Sequence, residues 1–132
     1  MNITNTVITE YINGFYNERT TALKELRKEA EANRVPIILR DTEGFLRLLL
    51  TIAKPKRILE IGTAVGYSAS CFAYLAEGSV VTTIEREEPS YKEALSNIAE
   101  TTVKNLISFF ETNQCPNEIC YRGGNTEDCK SG

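Results

Sequence analysis

One short run of residues has the types and spacing to hold a small ligand. It reads Glu60-Ile61-Gly62-Thr63-Ala64-Val65-Gly66-Tyr67-Ser68, and it lies where a predicted strand turns into a predicted helix. Gly62 permits the tight turn, and Gly66 lets a ligand approach the backbone at the helix N-terminus. The pattern predicts a ligand-binding loop, although the same two glycines also suit an ordinary turn between a strand and a helix.

A carboxylate follows at the end of the next predicted strand. Glu85 comes directly after residues 79–84, which are rich in β-branched side chains. In a Rossmann-like sheet this position lies beside the ribose of a bound ligand, where a carboxylate can accept from both hydroxyls. Alone, Glu85 also suits a solvated charge. The order strand, loop, helix, strand and acid favours the ligand.

Two common phosphate-binding loops are excluded by the residues present. In a dinucleotide loop that starts at Gly62, the second and third glycines would fall at Ala64 and Tyr67. The lysine of a Walker A loop is also missing. The chain contains no histidine, which excludes His-based triads, His metal ligands and His general bases.

Hydrophobic patterning predicts the framework that positions these residues. Helical patterns cover about residues 4–17, 20–33 and 42–53, with Asp41 as the N-cap of the third, and Val35–Ile38 is a short extended apolar segment between them. Strands and helices then alternate: strand 57–61, helix 67–77, strand 79–84, a helix from Pro89 to about 104, and strand 106–110. This alternation predicts an α/β fold with a parallel sheet and right-handed crossovers.

Composition limits the function further. The chain has 132 residues, 42% of them hydrophobic and 25% charged, as expected of one soluble domain. A net charge of -3 gives no bulk attraction to nucleic acid, although a local basic patch remains open. No apolar run approaches the roughly 20 residues that span a bilayer. Residues 1–10 lack a secretory pattern, so we expect a cytoplasmic protein without membrane association.

The cysteines do not predict a metal site. Cys71 lies in a predicted helix and is expected to be a small buried hydrophobe. Cys115, Cys120 and Cys129 have the spacing C-x4-C-x8-C, which is wider than the usual zinc pair and has no fourth ligand nearby. In a reducing cytoplasm we expect no disulfides.

Longer strings resemble one family. Val35-Pro36-Ile37, the run from Lys54 to Ser68, and Thr82-Thr83-Ile84-Glu85-Arg86 resemble bacterial O-methyltransferases. That family includes tRNA 5-hydroxyuridine methyltransferases and is related to caffeoyl-CoA and catechol O-methyltransferases. The pattern Glu60-x-Gly62-x3-Gly66 resembles motif I of class I S-adenosylmethionine-dependent methyltransferases. The resemblance implies N-terminal helices followed by the first half (βαβαβ) of a Rossmann-like parallel sheet. It also implies methyl transfer to a hydroxyl of tRNA or of a catechol-like small molecule.

The resemblance further implies which residues bind S-adenosylmethionine. They are Ile38, Glu60, Gly62, Thr63, Ser68, Glu85 and Asn113. Glu60 would bind the methionine amino end, with the Gly62 and Thr63 backbone beside it. Ser68 would contact the carboxylate end and Glu85 the ribose. Ile38 would lie against the cofactor but also suits a plain core residue, and Ser68 also suits a hydroxyl at a helix N-terminus. No catalytic residue is implied.

The resemblance covers about residues 1–111 and then stops. Asn113 stands where the family has the aspartate of Gly-Asp-Ala, and residues 112–132 read as an irregular tail. The carboxylates that bind Mg²⁺ in the family, and its Phe-Ile-Asp-Ala-Ala-Lys strand, do not occur. We therefore predict a truncated methyltransferase with impaired activity, in which the free edge of the first strand promotes self-association. An inactive cofactor-binding or interaction protein and an unrelated Rossmann-like nucleotide-binding module remain as alternatives.

Overall fold

The computed structural model describes residues 5–101 and 107–111, the side chains of 108–111 excepted. Helices and strands follow one another in this order: α1 Thr6–Asn13, α2 Thr21–Ala32, α3 Arg40–Ala53, β1 Arg57–Ile61, α4 Tyr67–Leu75, β2 Val80–Glu85, α5 Glu88–Ala99 and β3 Ile107–Glu111. Three helices thus precede a βαβαβ unit, which confirms the predicted fold class.

The three strands form a parallel sheet in the order β1-β2-β3. In the register Ile61 pairs with Ile84, and Glu85 pairs with Glu111. One residue beyond β1, the N–H of Gly62 still donates to the carbonyl of Ile84, at 2.8 Å. The carboxyl ends of β1 and β2 therefore lie side by side, which brings the loop after β1 next to Glu85.

The sheet is covered unequally on its two faces. Val81 and Thr83 are fully buried on the face that α4 and α5 contact. On the opposite face Leu59 is 63% exposed and Ile61 82% exposed. Small residues of α4, with Ala69 fully buried, allow that helix to approach β2 closely. The buried face therefore carries the site residues of both strands, since Glu60 and Glu85 alternate in phase with it.

The N-terminal helices pack on α4 rather than on the sheet. Both α2 and α3 contact α4, and α1 contacts α3. Leu23 and Ala30 of α2 join Val65, Tyr67 and Cys71 in one buried cluster. Helix α1 contributes no buried residue. Among the described residues, no helix combines the length and the apolar character that a membrane span requires.

Several predicted helix boundaries were wrong, those of α1, α3 and α5 among them. Helix α3 begins at Arg40 with Leu39 as its N-cap, so Asp41 is in the first turn, where its carboxylate favours the positive end of the helix dipole. Helix α1 ends at Asn13, before Gly14, and is shorter than predicted. Helix α5 ends at Ala99 because Thr101 turns back, and its N–H and hydroxyl both donate to the carbonyl of Ile98.

Candidate functional site

The loop between β1 and α4, residues 62–66, is the centre of the candidate site and is called the glycine loop below. Gly62 and Gly66 have φ angles of +94° and +83°, a region that glycine enters without steric cost. Ala64 has φ +47°, which is unfavourable for a side chain. The N–H of Gly66 donates to the carbonyl of Thr63 at 2.9 Å, which closes the turn. The first N–H groups of α4 therefore face the same edge as the strand ends.

Glu85 holds the glycine loop to the end of β2. Its Oε2 accepts from the N–H of Ala64 at 2.8 Å, and its Oε1 accepts from the N–H groups of Arg86 and Glu87 at 2.8 and 2.9 Å. Burial alone would raise the pKa of Glu85, but backbone N–H groups, among them that of Thr63, outweigh it and lower that pKa. Glu85 is therefore a fixed anion, and its bond to Ala64 stabilises the unfavourable backbone there.

Glu60 lies on the other side of the loop in a chain of hydroxyl groups. Its Oε2 accepts from the hydroxyl of Thr83 at 2.6 Å, and the hydroxyls of Thr83 and Thr63 lie 2.6 Å apart. Because Thr83 has one proton and gives it to Glu60, Thr63 donates to Thr83. Burial raises the pKa of Glu60, while hydrogen bonds from Ser68 and Thr83 oppose that rise. The Glu60 carboxylate is thus a partly desolvated acceptor.

Open space lies beside the first glycine but not beside the second. A Cβ added to Gly62 would meet no heavy atom within 4 Å. A Cβ added to Gly66 would lie 2.9 Å from Cδ1 of Ile98. Gly62 therefore leaves room for a ligand against the backbone, whereas Gly66 allows α5 to pack against the loop.

Comparison with known proteins decides the family. The O-methyltransferase family profile matches residues 14–117, which is most of the chain and includes the whole glycine loop. The chain belongs to the O-methyltransferase family. Its sheet, its glycine loop and the two carboxylates beside that loop are therefore features of an O-methyltransferase-family fold.

Individual proteins similar to this O-methyltransferase-family chain are also named as O-methyltransferases. A caffeoyl-CoA O-methyltransferase of Populus kitakamiensis is 34% identical over 103 residues, which cover 71% of this chain and 42% of that protein. A candidate caffeoyl-CoA O-methyltransferase from Staphylococcus aureus is 35% identical, with a TM-score of 0.75 over 82% of this chain and 52% of that one. An O-methyltransferase from Bacillus cereus, solved in complex with SAH, is 27% identical, with a TM-score of 0.69 over 86% and 56% of the chains. The chain thus spans about half the length of these relatives.

The structure brings most residues of the predicted cofactor set together. Glu60, Gly62, Thr63, Ser68 and Glu85 lie on or beside the glycine loop, linked by the bonds described above. Thr63 is fully buried, its hydroxyl bonds the hydroxyl of Thr83, and its backbone N–H is one of those that lower the pKa of Glu85.

Two members of the set are placed differently. Ile38 is half-buried and packs against the cluster that contains Val65 and Tyr67. Ile38 is therefore a core residue that also lies next to the glycine loop, so the two interpretations of this residue are compatible. Asn113 is outside the described residues. The domain boundary predicted after residue 111 stays a prediction, and the family profile continues to residue 117.

A buried polar cluster that the sequence did not reveal lies next to the glycine loop. Arg27, Glu43 and Tyr67 are each at most 2% exposed. The Tyr67 hydroxyl donates to Glu43 Oε2 at 2.9 Å, and Arg27 Nη2 donates to the same oxygen at 2.9 Å. Burial, with Glu43 nearby, raises the pKa of the adjoining Tyr16 to about 12. Arg27 and Glu43 lie in amphipathic helices, where charged side chains usually face solvent, so nothing in the sequence indicated that they are buried. The one available signal was Tyr67, because it follows Gly66 of the glycine loop directly.

Potential metal ligands and a cavity away from the glycine loop are two further features of the described residues. Within 5–101 and the described part of β3, no three potential Cys, Asp or Glu ligands gather. A cavity of about 250 Å³ lies between α2 and the end of α5 and is lined by Glu25, Glu29 and Glu100, among others. None of the glycine-loop residues lines it.

Proposed function

We propose that this chain binds S-adenosylmethionine at the carboxyl edge of its sheet and serves the transfer of its methyl group to a hydroxyl. One observation carries the proposal: Glu60 and Glu85 lie at the carboxyl ends of neighbouring parallel strands, as the last residue but one of β1 and the last residue of β2, and flank one glycine loop at the N-terminus of α4. In open α/β sheets, ligands bind at this edge. The Bacillus cereus relative, whose solved complex contains SAH, supports the same class of ligand.

The amino-acid end of the cofactor fits Glu60. An ammonium group offers three donors and a positive charge, which a half-buried carboxylate with two hydroxyl donors can accept. Ser68 is in the first turn of α4 beside Glu60, and the N–H groups of that turn suit the carboxylate of the same ligand. The open space beside Gly62 accommodates the aliphatic part of the ligand between Glu60 and the first turn of α4.

The nucleoside end fits Glu85 in a different way. Backbone N–H groups already occupy much of the acceptor capacity of this carboxylate, which is about four lone-pair directions. Ribose hydroxyls that donate to Glu85 would therefore compete with the backbone N–H groups for the oxygens of this carboxylate. We expect the bond from Ala64 N–H to Glu85 to lengthen when a ribose binds.

The reaction itself requires alignment more than acid–base chemistry at these residues. When bound, S-adenosylmethionine supplies an electrophilic methyl group on a sulfonium. Residues of this chain hold both ends of the cofactor and so fix the direction of that methyl group for an in-line acceptor oxygen. None of the described residues takes the acceptor proton in this proposal.

For the acceptor we propose a small phenolic or catechol-like hydroxyl compound, with 5-hydroxyuridine of tRNA as the other candidate. The name of the Populus relative favours the small molecule, and the net charge of -3 gives no general attraction to RNA. We propose a cytoplasmic location and self-association through the edge of β1. The second candidate function is cofactor binding without catalysis, for which the residues around the glycine loop would suffice.

Isothermal titration with S-adenosylhomocysteine and, separately, with NAD tests the ligand class. We expect binding of the first and none of the second. Binding of NAD alone would overturn the proposal in favour of an unrelated nucleotide-binding module. A methyl-transfer assay with catechol and with tRNA that carries 5-hydroxyuridine then separates the two acceptors. Binding without transfer to either would establish the non-catalytic function.

A further inference from the structure

We propose that Arg27 is a positioning residue that fixes two cofactor-contacting segments relative to each other. The segments are residues 35–39, before α3, and the glycine loop. The inference rests on the proposed function for its effect on ligand affinity. Its effect on the glycine loop can be measured without any ligand.

The contacts of Arg27 reach both segments from one guanidinium group. Nη2 donates to the carbonyl of Ile38 at 3.1 Å and to Glu43 at 2.9 Å. Nε donates to the hydroxyl of Tyr67 at 3.0 Å, and the guanidinium carbon lies 4.4 Å from the centre of the Tyr67 ring. The guanidinium group thus donates hydrogen bonds in its plane and stacks on an aromatic ring with its face, a combination that only arginine offers.

Tyr67 carries this constraint into the glycine loop. It follows Gly66 directly and begins α4, so its backbone is continuous with the loop. Its side chain is bonded to α2 through Arg27, to α3 through Glu43, and to Tyr16 at 3.3 Å. A shift of the ring would therefore move the exit of the loop.

The far side of the loop is held independently. Asn97 of α5 donates to the carbonyl of Val65 at 3.0 Å, and Ala64 donates to Glu85. These bonds tie the loop to β2 and α5, whereas Arg27 ties it to the N-terminal helices. Loss of the Arg27 connection should therefore loosen one side of the loop and leave the sheet intact.

The test compares two variants of the buried cluster with one matched control. Tyr67→Phe removes one hydroxyl and leaves the Arg27–Glu43 pair in place. Arg27→Lys keeps the charge but removes the fork and the stack. The control is Arg57→Lys, the same change at an exposed position of β1. Hydrogen exchange of the free proteins and titration with S-adenosylhomocysteine are measured for all three and for the unchanged chain.

We expect the amide of Gly66, which donates to the carbonyl of Thr63, to exchange about tenfold faster in Tyr67→Phe, while the amide of Ala64 and those of β2 keep their protection. S-adenosylhomocysteine should bind about tenfold more weakly to both cluster variants and unchanged to Arg57→Lys. Uniformly faster exchange in Tyr67→Phe would mean a merely structural role, and unchanged loop exchange would overturn the inference outright. If the unchanged chain binds no S-adenosylhomocysteine, the proposed function fails, and the exchange data alone decide the role of Arg27.

Discussion

At the scale of single residues, the two carboxylates beside the glycine loop have opposite electrostatic environments. Burial raises the pKa of Glu60, whereas backbone donors lower the pKa of Glu85. An acid whose pKa rises on folding destabilises the fold once it is ionised, and an acid whose pKa falls stabilises it. Ionised Glu60 therefore destabilises the fold, whereas ionised Glu85 stabilises it.

We predict that Glu60→Gln separates stability from binding. At neutral pH the variant should melt no lower than the unchanged chain, because folding no longer has to desolvate a carboxylate. Its affinity for S-adenosylhomocysteine should fall by about 1.5–3 kcal/mol, since a charge-assisted bond is lost. Thermal melts and calorimetric titration measure the two effects. The exposed Glu77→Gln is the control, and equal affinity of Glu60→Gln and the unchanged chain would contradict the assignment of Glu60.

For Glu85→Gln we predict a pH-dependent loss of stability. The lowered pKa means that the stabilisation is present above the ordinary value of 4.5 and is lost as the pH falls through the folded-state value below it. The variant should be less stable by about 1.5–3 kcal/mol at neutral pH, because an amide nitrogen cannot accept the backbone N–H groups. Urea unfolding of both proteins over acid pH checks this. A difference that stays constant down to the acid limit would argue against the assigned bonds.

At the scale of the elements, the turn between β1 and α4 depends on two glycines for different reasons. Both have positive φ, but only Gly66 is packed against a neighbour. We predict that Gly66→Ala costs about 2 kcal/mol of unfolding free energy, from backbone strain and from the contact with Ile98. Gly62→Ala should cost about 1 kcal/mol, from strain alone.

The same pair of variants separates packing from ligand binding. The methyl group of Gly62→Ala would occupy the open space, so its main effect should be on S-adenosylhomocysteine affinity. In the Gly66→Ala background, Ile98→Val removes the Cδ1 atom and should recover part of the lost stability. Urea denaturation and calorimetric titration of the variants measure both. Equal stability losses at the two glycines would show that Ile98 does not limit the turn.

Sequence reasoning located the elements better than their ends. The short run that stops at Gly62 predicted β1 at Arg57–Ile61, with the bounds that the structure has. Asp41 was wrongly placed as a cap because an acid is equally favourable in the first turn. Arg27 and Glu43 could not be recognised, because a buried ion pair between two helices depends on how those helices pack. The hydrophobic pattern of each helix does not predict how the two helices pack against each other.

At the scale of the whole molecule, the sheet is asymmetric. Among the described residues β1 pairs only with β2, and Leu59 and Ile61 of β1 are exposed on the face opposite α4 and α5. Parallel sheets usually have both faces covered, and an open apolar edge templates pairing with another chain. We therefore expect self-association that involves β1.

Substitution at this edge tests that expectation. Ile61→Lys should reduce the apparent mass in size-exclusion chromatography with light scattering, because a lysine blocks edge pairing. Val7→Lys makes the same type of change at an exposed residue of α1 and should leave the mass unchanged. The melting temperature of the unchanged chain should rise with concentration. A monomer at all concentrations would mean that the β1 edge is covered.

The burial of Cys71 has a practical consequence. Its thiol is 1% exposed in α4, and burial raises its pKa, so the native thiol is nearly inert to alkylation. It reacts only when α4 separates from the helices and the sheet around it. The sequence has no lysine or arginine between Arg57 and Arg86, so trypsin isolates this cysteine from the other three in the peptide 58–86. The rate at which alkylation of Cys71 appears in that peptide would therefore measure how often α4 opens to solvent.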